Sequence, residues 1–96
     1  MLVSKGKATV GDICTIRLVT GEEMIAKLVD ITEDTYLLGK ALVLHATDAG
    51  AALSPATFTG DDETGLPVLK TSVMWVIPTK DEFKKAYIQQ TSGIIT

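Results

Sequence analysis

Cys14 and His45 are the only cysteine and the only histidine in the chain. Nucleophilic catalysis by a thiol needs a base within hydrogen-bonding reach, and no orienting motif surrounds either residue. We therefore interpret Cys14 as a small buried hydrophobic residue and His45 as a residue at the end of a strand. One cysteine and one histidine are also too few for a zinc site, so we predict no catalytic residue, metal or cofactor.

The acidic run Asp61, Asp62 and Glu63 is the next candidate for chemistry, because carboxylates bind hard cations. It lacks the alternating oxygen ligands and the central glycine of a calcium loop, so a solvated turn is the favoured interpretation. The sequence contains neither a P-loop nor a GxGxxG motif for dinucleotides. Among the functions considered, catalysis is the weakest hypothesis.

Aromatic side chains offer another route to a ligand, because nucleic-acid bases stack on them. Tyr36 directly follows an acidic turn, a position from which its ring can project from the end of a small barrel. Trp75 lies in an apolar run, which favours the core or a subunit interface over a ligand site. The default expectation for Phe83 and Tyr87 is helix packing.

The charge balance argues against strong binding of nucleic acid by a single copy. The net charge is −3 and the nine basic residues are scattered, whereas proteins that hold phosphates usually concentrate Lys and Arg on one surface. A ring of copies can still gather a weak basic feature around its axis. The hydrophobic fraction of 46% and the mean hydropathy of +0.27 are high for so short a chain, which favours an oligomer.

The sequence also gives an expectation about the cellular location of the protein. No apolar run reaches the roughly 18 residues that span a bilayer, and the opening MLVSKGKATVGD lacks the apolar stretch of a secretory signal. One cysteine is also typical of a reducing compartment. We expect a soluble cytoplasmic protein with no membrane partner.

Hydrophobic periodicity predicts one mainly β domain over residues 1–96. The predicted elements are strands at about 12–19, 23–31, 35–45, 53–59 and 66–77, and a helix at about 80–91. Gly21 supplies the positive φ of the first hairpin turn, and Gly39 predicts a bulge or bend in the third strand. The second strand is apolar on both faces, so either the helix or another subunit must cover its outer face.

The C-terminal helix has a clear local pattern. Thr79 and Glu82 have the spacing of a capping box, in which each side chain bonds the backbone near the other. Phe83, Ala86, Tyr87 and Gln90 fall on one stripe that predicts the buried face.

The segment VGDICTIRLVTGEEMIAKLVDITEDTYLLGKALVL, residues 10–44, resembles the first conserved motif of the Sm and LSm family, with Gly21 at the family's glycine. The ending PTKDEFKKAYIQQTSGI is similar to that of phage-encoded Sm-like proteins, and a phage origin would place the chain in the host cytoplasm. The resemblance implies a five-stranded, strongly bent small barrel. It also implies a ring of roughly five to seven copies, in which the last strand of one barrel pairs with the fourth strand of the next.

In the family, the turn before the third strand binds RNA and carries an aspartate and an asparagine. This chain has Thr32 and Tyr36 at those positions, and the family's second motif is absent from VMWVIPT. The leading hypothesis is a ring that binds single-stranded RNA or a related nucleic acid. Tyr36 would stack on bases and Lys27, Lys40 and Arg17 would supply charge. The predicted subunit interface consists of Phe58, Val73, Trp75 and Ile77.

Two alternatives remain open. One is a ring-shaped protein-interaction or structural module that has lost the RNA site, since fold does not fix function. The other is a monomeric barrel that forms no ring.

Overall fold

The computed structural model describes residues 8–57, 59–61 and 63–92. The chain is mainly β with one C-terminal α-helix, which confirms the predicted fold class. The strands are β1 (Ile13–Leu18), β2 (Glu23–Ile31), β3 (Thr35–Thr47), β4 (Gly50–Pro55), β5 (Leu66–Leu69) and β6 (Val73–Pro78). A 3-10 helix, Lys70–Ser72, separates β5 from β6, and helix α1 spans Asp81–Thr91.

The strands form one antiparallel sheet in the order β4, β3, β2, β1, β6. The 13-residue β3 pairs with β5 through residues 35–38 and with β4 through residues 42–47, so two short strands share its outer edge. No strand ladder joins β6 to β4 or β5 within the described residues, so the sheet is bent but not closed. Both ends of the sheet therefore have an unpaired edge.

A bulge bends β3 in its middle. Ile25 pairs with Leu42 and Lys27 pairs with Gly39, so two residues of β3 lie opposite the single residue Ala26 of β2. One of these two residues, Lys40, has a φ of +50°, in the left-handed region that side chains rarely adopt. The sequence predicts the bend at Gly39, and the bulge begins at the next residue.

The side of the sheet opposite the helix carries the larger of two apolar clusters. Alternating residues of β1 and β2 supply its centre, because successive side chains of a strand point to opposite faces. Its buried members are Ala8, Cys14, Ile16, Met24, Ala26, Leu28, Leu38 and Ala41. This interior core fixes the register of the first hairpin, since a slip of β1 or β2 by one residue would turn the buried side chains of that strand to the opposite face.

Helix α1 covers the opposite, helix-facing side of the sheet. Ile25, Leu42 and Tyr87 are the buried residues of this outer core, and Ile13, Leu53 and Phe83 pack around them. The second strand therefore has its outer face covered by the helix of its own chain. Phe83 and Tyr87 face the sheet as predicted, whereas Ala86 of the same predicted stripe is exposed.

The structure departs from the predicted elements at three points. The last strand, predicted as continuous over 66–77, is divided by the 3-10 helix. The fourth strand, predicted at 53–59, ends at Pro55 and begins three residues earlier at Gly50, and residue 58 lies outside the described residues. The predicted capping box is wrong: Lys80 is the N-cap residue and no side chain caps the helix, because the buried Thr79 hydroxyl bonds Thr15 instead.

No helix formed by the described residues is long and apolar enough to cross a membrane.

Candidate nucleic-acid interface

Tyr36 and Lys70 meet where the turn before β3 touches the 3-10 helix. The Lys70 backbone N–H donates to the Asp34 carbonyl oxygen at 2.9 Å, which holds the two segments together. The Lys70 Nζ lies 5.4 Å from the centroid of the Tyr36 ring, within the range of a cation–π contact. The Lys70 ammonium therefore lies over the Tyr36 ring, and it would have to move toward a phosphate for a base to stack on that part of the ring.

The turn itself is fixed by threonine hydroxyls. The Thr35 N–H donates to the Thr32 Oγ1 at 3.0 Å, and the Thr32 N–H donates to the Thr35 carbonyl at 2.9 Å. Tyr36 is half-buried, with its ring packed against the interior core. The ring is therefore anchored, which lowers the entropy that a ligand would have to remove from it.

Lys27 and Lys40 line a second place, a recess of about 580 Å³ between β2, β3 and the C-terminal end of α1. Both residues are exposed, and the bulge turns the Lys40 side chain toward the helix. The Lys40 Nζ donates to the Thr91 carbonyl at 3.2 Å, so this ammonium is partly occupied by the end of the helix. The Lys27 ammonium forms no ion pair with the described residues.

Arg17 occupies a third place, on the helix-facing side near β6. Its Nη2 forms an ion pair with Glu23 at 3.1 Å and its Nη1 donates to the Gly21 carbonyl at 2.9 Å. Its guanidinium also lies 5.7 Å from the centroid of the Trp75 ring. The charge of Arg17 is therefore balanced by Glu23, the partner in the only ion pair between described residues.

Lys27 and Lys40 therefore lie in the same recess, whereas Tyr36 lies beside the 3-10 helix and Arg17 lies next to Trp75 of β6. The residue that the sequence analysis missed is Lys70. No local signal could have identified it, because it lies in a stretch that reads as continuous strand and meets Tyr36 only through tertiary contact.

Three of the four predicted interface residues lie in an edge strand of the sheet. Val73, Trp75 and Ile77 lie in edge strand β6, where Val73 packs against the interior core and Ile77 is 43% exposed. Phe58 lies outside the described residues. Neither β4 (GAALSP) nor β6 (VMWVIP) contains a charged residue.

Cys14 and His45 lie in different environments. Cys14 is fully buried, its Sγ donates to the Ala26 carbonyl, and burial raises the pKa of its thiol to about 11. His45 is exposed and its Nε2 is hydrogen-bonded to the Ser54 Oγ. A buried, protonated thiol is a poor nucleophile. The described part of the chain holds no group of three residues suited to bind a metal ion.

Comparison of the chain with models of known protein families gave no match, and comparison with curated protein sequences also gave none.

Proposed function

We propose that this chain is a ring-forming, Sm-like protein that binds single-stranded RNA and catalyses no reaction. The observation that carries the proposal is the pair of uncharged edge strands β4 and β6, whose outer sides pair with no other strand of the described residues, although the Leu53 carbonyl of β4 accepts a hydrogen bond from the Gln90 side chain. Soluble proteins usually protect a free edge with charged side chains, since bare edges pair with other chains. Pairing between β4 of one copy and β6 of the next protects both edges at once.

A closed ring of roughly five to seven copies pairs the outer sides of β4 and β6 in every copy. Apolar exposure supports it, because Met74 and Ile77 of β6 are 58% and 43% exposed in the single chain. Light scattering tests the assembly. We expect a particle several times the 10.2 kDa of one chain, and a particle of 10.2 kDa at all concentrations would contradict the proposal.

The RNA part of the proposal rests on the contact between Tyr36 and Lys70. One such contact is a weak site, but a ring repeats it around its axis, and repeated sites raise the overall affinity for a single strand. We place the ring in the cytoplasm, or in the host cytoplasm if the chain is phage-encoded.

Binding of U-rich and A-rich oligonucleotides is expected to weaken about tenfold or more in Tyr36→Ala, because base stacking on an aromatic ring contributes about 1–3 kcal/mol per base. Tyr36→Phe keeps the ring and should retain most of the affinity. Lys70→Gln should reduce the dependence of affinity on salt, since one phosphate contact per copy is removed. Fluorescence anisotropy at several salt concentrations measures all three effects.

Lys85→Gln, at an exposed lysine of α1, is the matched control for the loss of one charge and should bind like the unaltered protein. Circular dichroism shows whether Tyr36→Ala still folds. Undetectable binding of both oligonucleotides at low salt, where phosphate contacts are strongest, would discard the RNA proposal.

The second candidate is a ring-shaped protein-interaction or structural module without an RNA site. The engagement of Arg17 by Glu23 and of Lys40 by Thr91 favours it, since both cations already have partners in the chain. The net charge of −3 also favours it. An assembled particle that binds neither oligonucleotide would support this candidate.

A further inference from the structure

The recess between β2, β3 and the C-terminal end of α1 has the size of a small-molecule site. Its volume of about 580 Å³ lies within the range of about 300–1,000 Å³ that is typical of ligand pockets. The described residues that line it include neither Tyr36 nor any residue of β4 or β6. The recess is therefore separate from both the stacking contact and the edges proposed to pair in the ring.

Gly39 leaves open space in the wall of this recess. Its φ lies outside the left-handed region, so the backbone conformation alone does not require a glycine. A Cβ added to Gly39 would lie 3.0 Å from the Val29 Cγ2 and 3.9 Å from the Lys27 Cβ, between two residues that line the recess. Glycine inside a strand lowers stability, and it often marks a place that a ligand approaches closely.

Lys40 offsets the charge of the helix end that borders the recess. The bulge holds Lys40 at a φ of +50°, and the Tyr87 hydroxyl donates to its carbonyl oxygen at 3.0 Å. In this conformation the Lys40 Nζ donates to the Thr91 carbonyl at 3.2 Å. Carbonyl groups at the C-terminal end of a helix carry partial negative charge, which a nearby cation balances. The helix end therefore repels an anion in the recess less than an uncapped end would.

Lys27 supplies the positive charge that is left for a ligand. Its side chain is exposed, and its ammonium forms no ion pair with the described residues. Glu63 also lines the recess, and its carboxylate repels negative charge. Because each further negative charge adds to this repulsion, the recess suits a ligand with one anionic group better than it suits a polyanion such as RNA.

The remaining walls suit an apolar chain. Val29 of β2 and Ile88 of α1 both line the recess, and they are 41% and 48% exposed. Covering this surface would remove it from water, which favours binding. A ligand whose apolar chain lies on these walls would place an anionic group at its end within the same recess as the Lys27 ammonium.

We propose that this recess binds an aliphatic carboxylate, which is an acyl chain that ends in a single carboxylate. The carboxylate pairs with Lys27, and the chain lies on Val29 and Ile88 over the space left by Gly39. A carboxylate carries one negative charge at neutral pH, whereas a phosphate monoester carries nearly two and would be repelled more strongly by Glu63. Binding at this site requires neither the ring nor RNA.

Titration of the isotopically labelled protein with octanoate, followed by NMR, tests the site. The backbone amide signals of Lys27, Gly39 and Ile88 report on the recess, and those of Met74 and Ile77 report on strand β6. We expect octanoate to shift the recess signals. Octanol, which has a chain of the same length without the charge, should bind about tenfold more weakly, because an interaction with a charged group is lost. Acetate, which has the charge without the chain, should cause no measurable shift.

Lys27→Gln is expected to weaken octanoate binding about tenfold, for the same reason. Lys27→Arg keeps the charge and should retain most of the affinity. Lys85→Gln removes one charge from an exposed position on α1 and should bind octanoate like the unaltered protein. Gly39→Ala adds a methyl group to the recess and should weaken octanoate and octanol alike; the Lys27 variants decide the question if Gly39→Ala does not fold.

Several results would overturn the inference. These are equal affinities for octanoate and octanol, equal affinities of the unaltered protein and Lys27→Gln for octanoate, and shifts confined to β6. If Lys27→Gln weakened only the binding of a U-rich oligonucleotide, the recess would belong to the RNA surface and the inference would be wrong. A protein that forms no ring and binds no RNA, but binds octanoate through Lys27, would support the inference and contradict the proposed function.

Discussion

Replacing Ile77 by lysine is expected to abolish assembly and leave a folded monomer of 10.2 kDa. Ile77 lies in edge strand β6 and is 43% exposed in the single chain, so a lysine there can extend into solvent. In the proposed ring the same position is covered by the next copy, and its ammonium would be buried without a partner. An unpaired buried charge costs about 3–5 kcal/mol, which lowers the association constant at least about a hundredfold.

Ile88→Lys is the matched control for this substitution. Ile88 is also an isoleucine, is 48% exposed and lies on α1, where it lines the recess that holds Lys27 and Lys40. We expect this variant to keep the mass of the unaltered protein in light scattering. Equal masses for the two variants, whether both assembled or both monomeric, would contradict edge pairing through β6.

The first half of the fold could be predicted from the sequence because its determinants are local. Alternation of apolar residues in β1 places Cys14 and Ile16 in the interior core, where both are fully buried. Gly21 occurs at the hairpin turn with a φ of +106°, a conformation that glycine adopts without strain. In such segments the side-chain period and the turn residue together determine the structure.

The division of the last strand could not be predicted from local pattern. Residues 66–77 are compatible with one strand, but β5 pairs with β3 while β6 pairs with β1, at the opposite end of the sheet. The chain has to turn between these two edges, and the 3-10 helix Lys70–Ser72 makes that turn. This requirement comes from the tertiary arrangement.

Dependence on tertiary contacts also explains why only part of the candidate site could be predicted from the sequence. Tyr36 could be selected from its place after an acidic turn. The contact with Lys70 depends on the 3-10 helix packing against that turn, and the pairing of Arg17 with Glu23 depends on the register of two strands. Thr79 has the type and position of a helix cap, yet its hydroxyl bonds Thr15, a partner 64 residues away.

Replacement of Tyr87 is expected to have the largest effect on the stability of the single subunit. Tyr87 is 3% exposed, and its hydroxyl donates to the carbonyl oxygens of both Gly39 and Lys40, at 2.9 and 3.0 Å. It therefore joins the helix to the bulge that holds Lys40 at positive φ. Tyr87→Ala should lower the free energy of unfolding by about 3–5 kcal/mol, a large part of the roughly 5–15 kcal/mol typical of a domain.

Tyr87→Phe isolates the hydroxyl, because it keeps the ring and its packing in the outer core. We expect a loss of about 1–3 kcal/mol, the cost of leaving two partly buried carbonyl groups without their donor. Urea unfolding measured at one protein concentration compares the three proteins, since assembly makes apparent stability depend on concentration. If Tyr87→Ala and Tyr87→Phe were equally stable, the aromatic ring of Tyr87 would contribute nothing to stability, and the packing of α1 against the sheet would be wrong.

The Tyr87 hydroxyl also predicts a pH dependence with a definite sign. Burial raises its pKa from 10.0 to about 12 in the folded chain, because a phenolate would be poorly solvated there and could not donate to either carbonyl. The group's pKa is thus higher when folded than when unfolded, so its contribution to stability is complete below about pH 10 and is lost as the pH rises through about 12. In Tyr87→Phe this contribution is absent, so the difference in unfolding free energy between the two proteins should shrink between pH 10 and 12. A difference that stays constant across this range would show that the hydroxyl ionises as readily in the folded chain as in the unfolded one, and would remove the hydrogen-bonded link between α1 and β3.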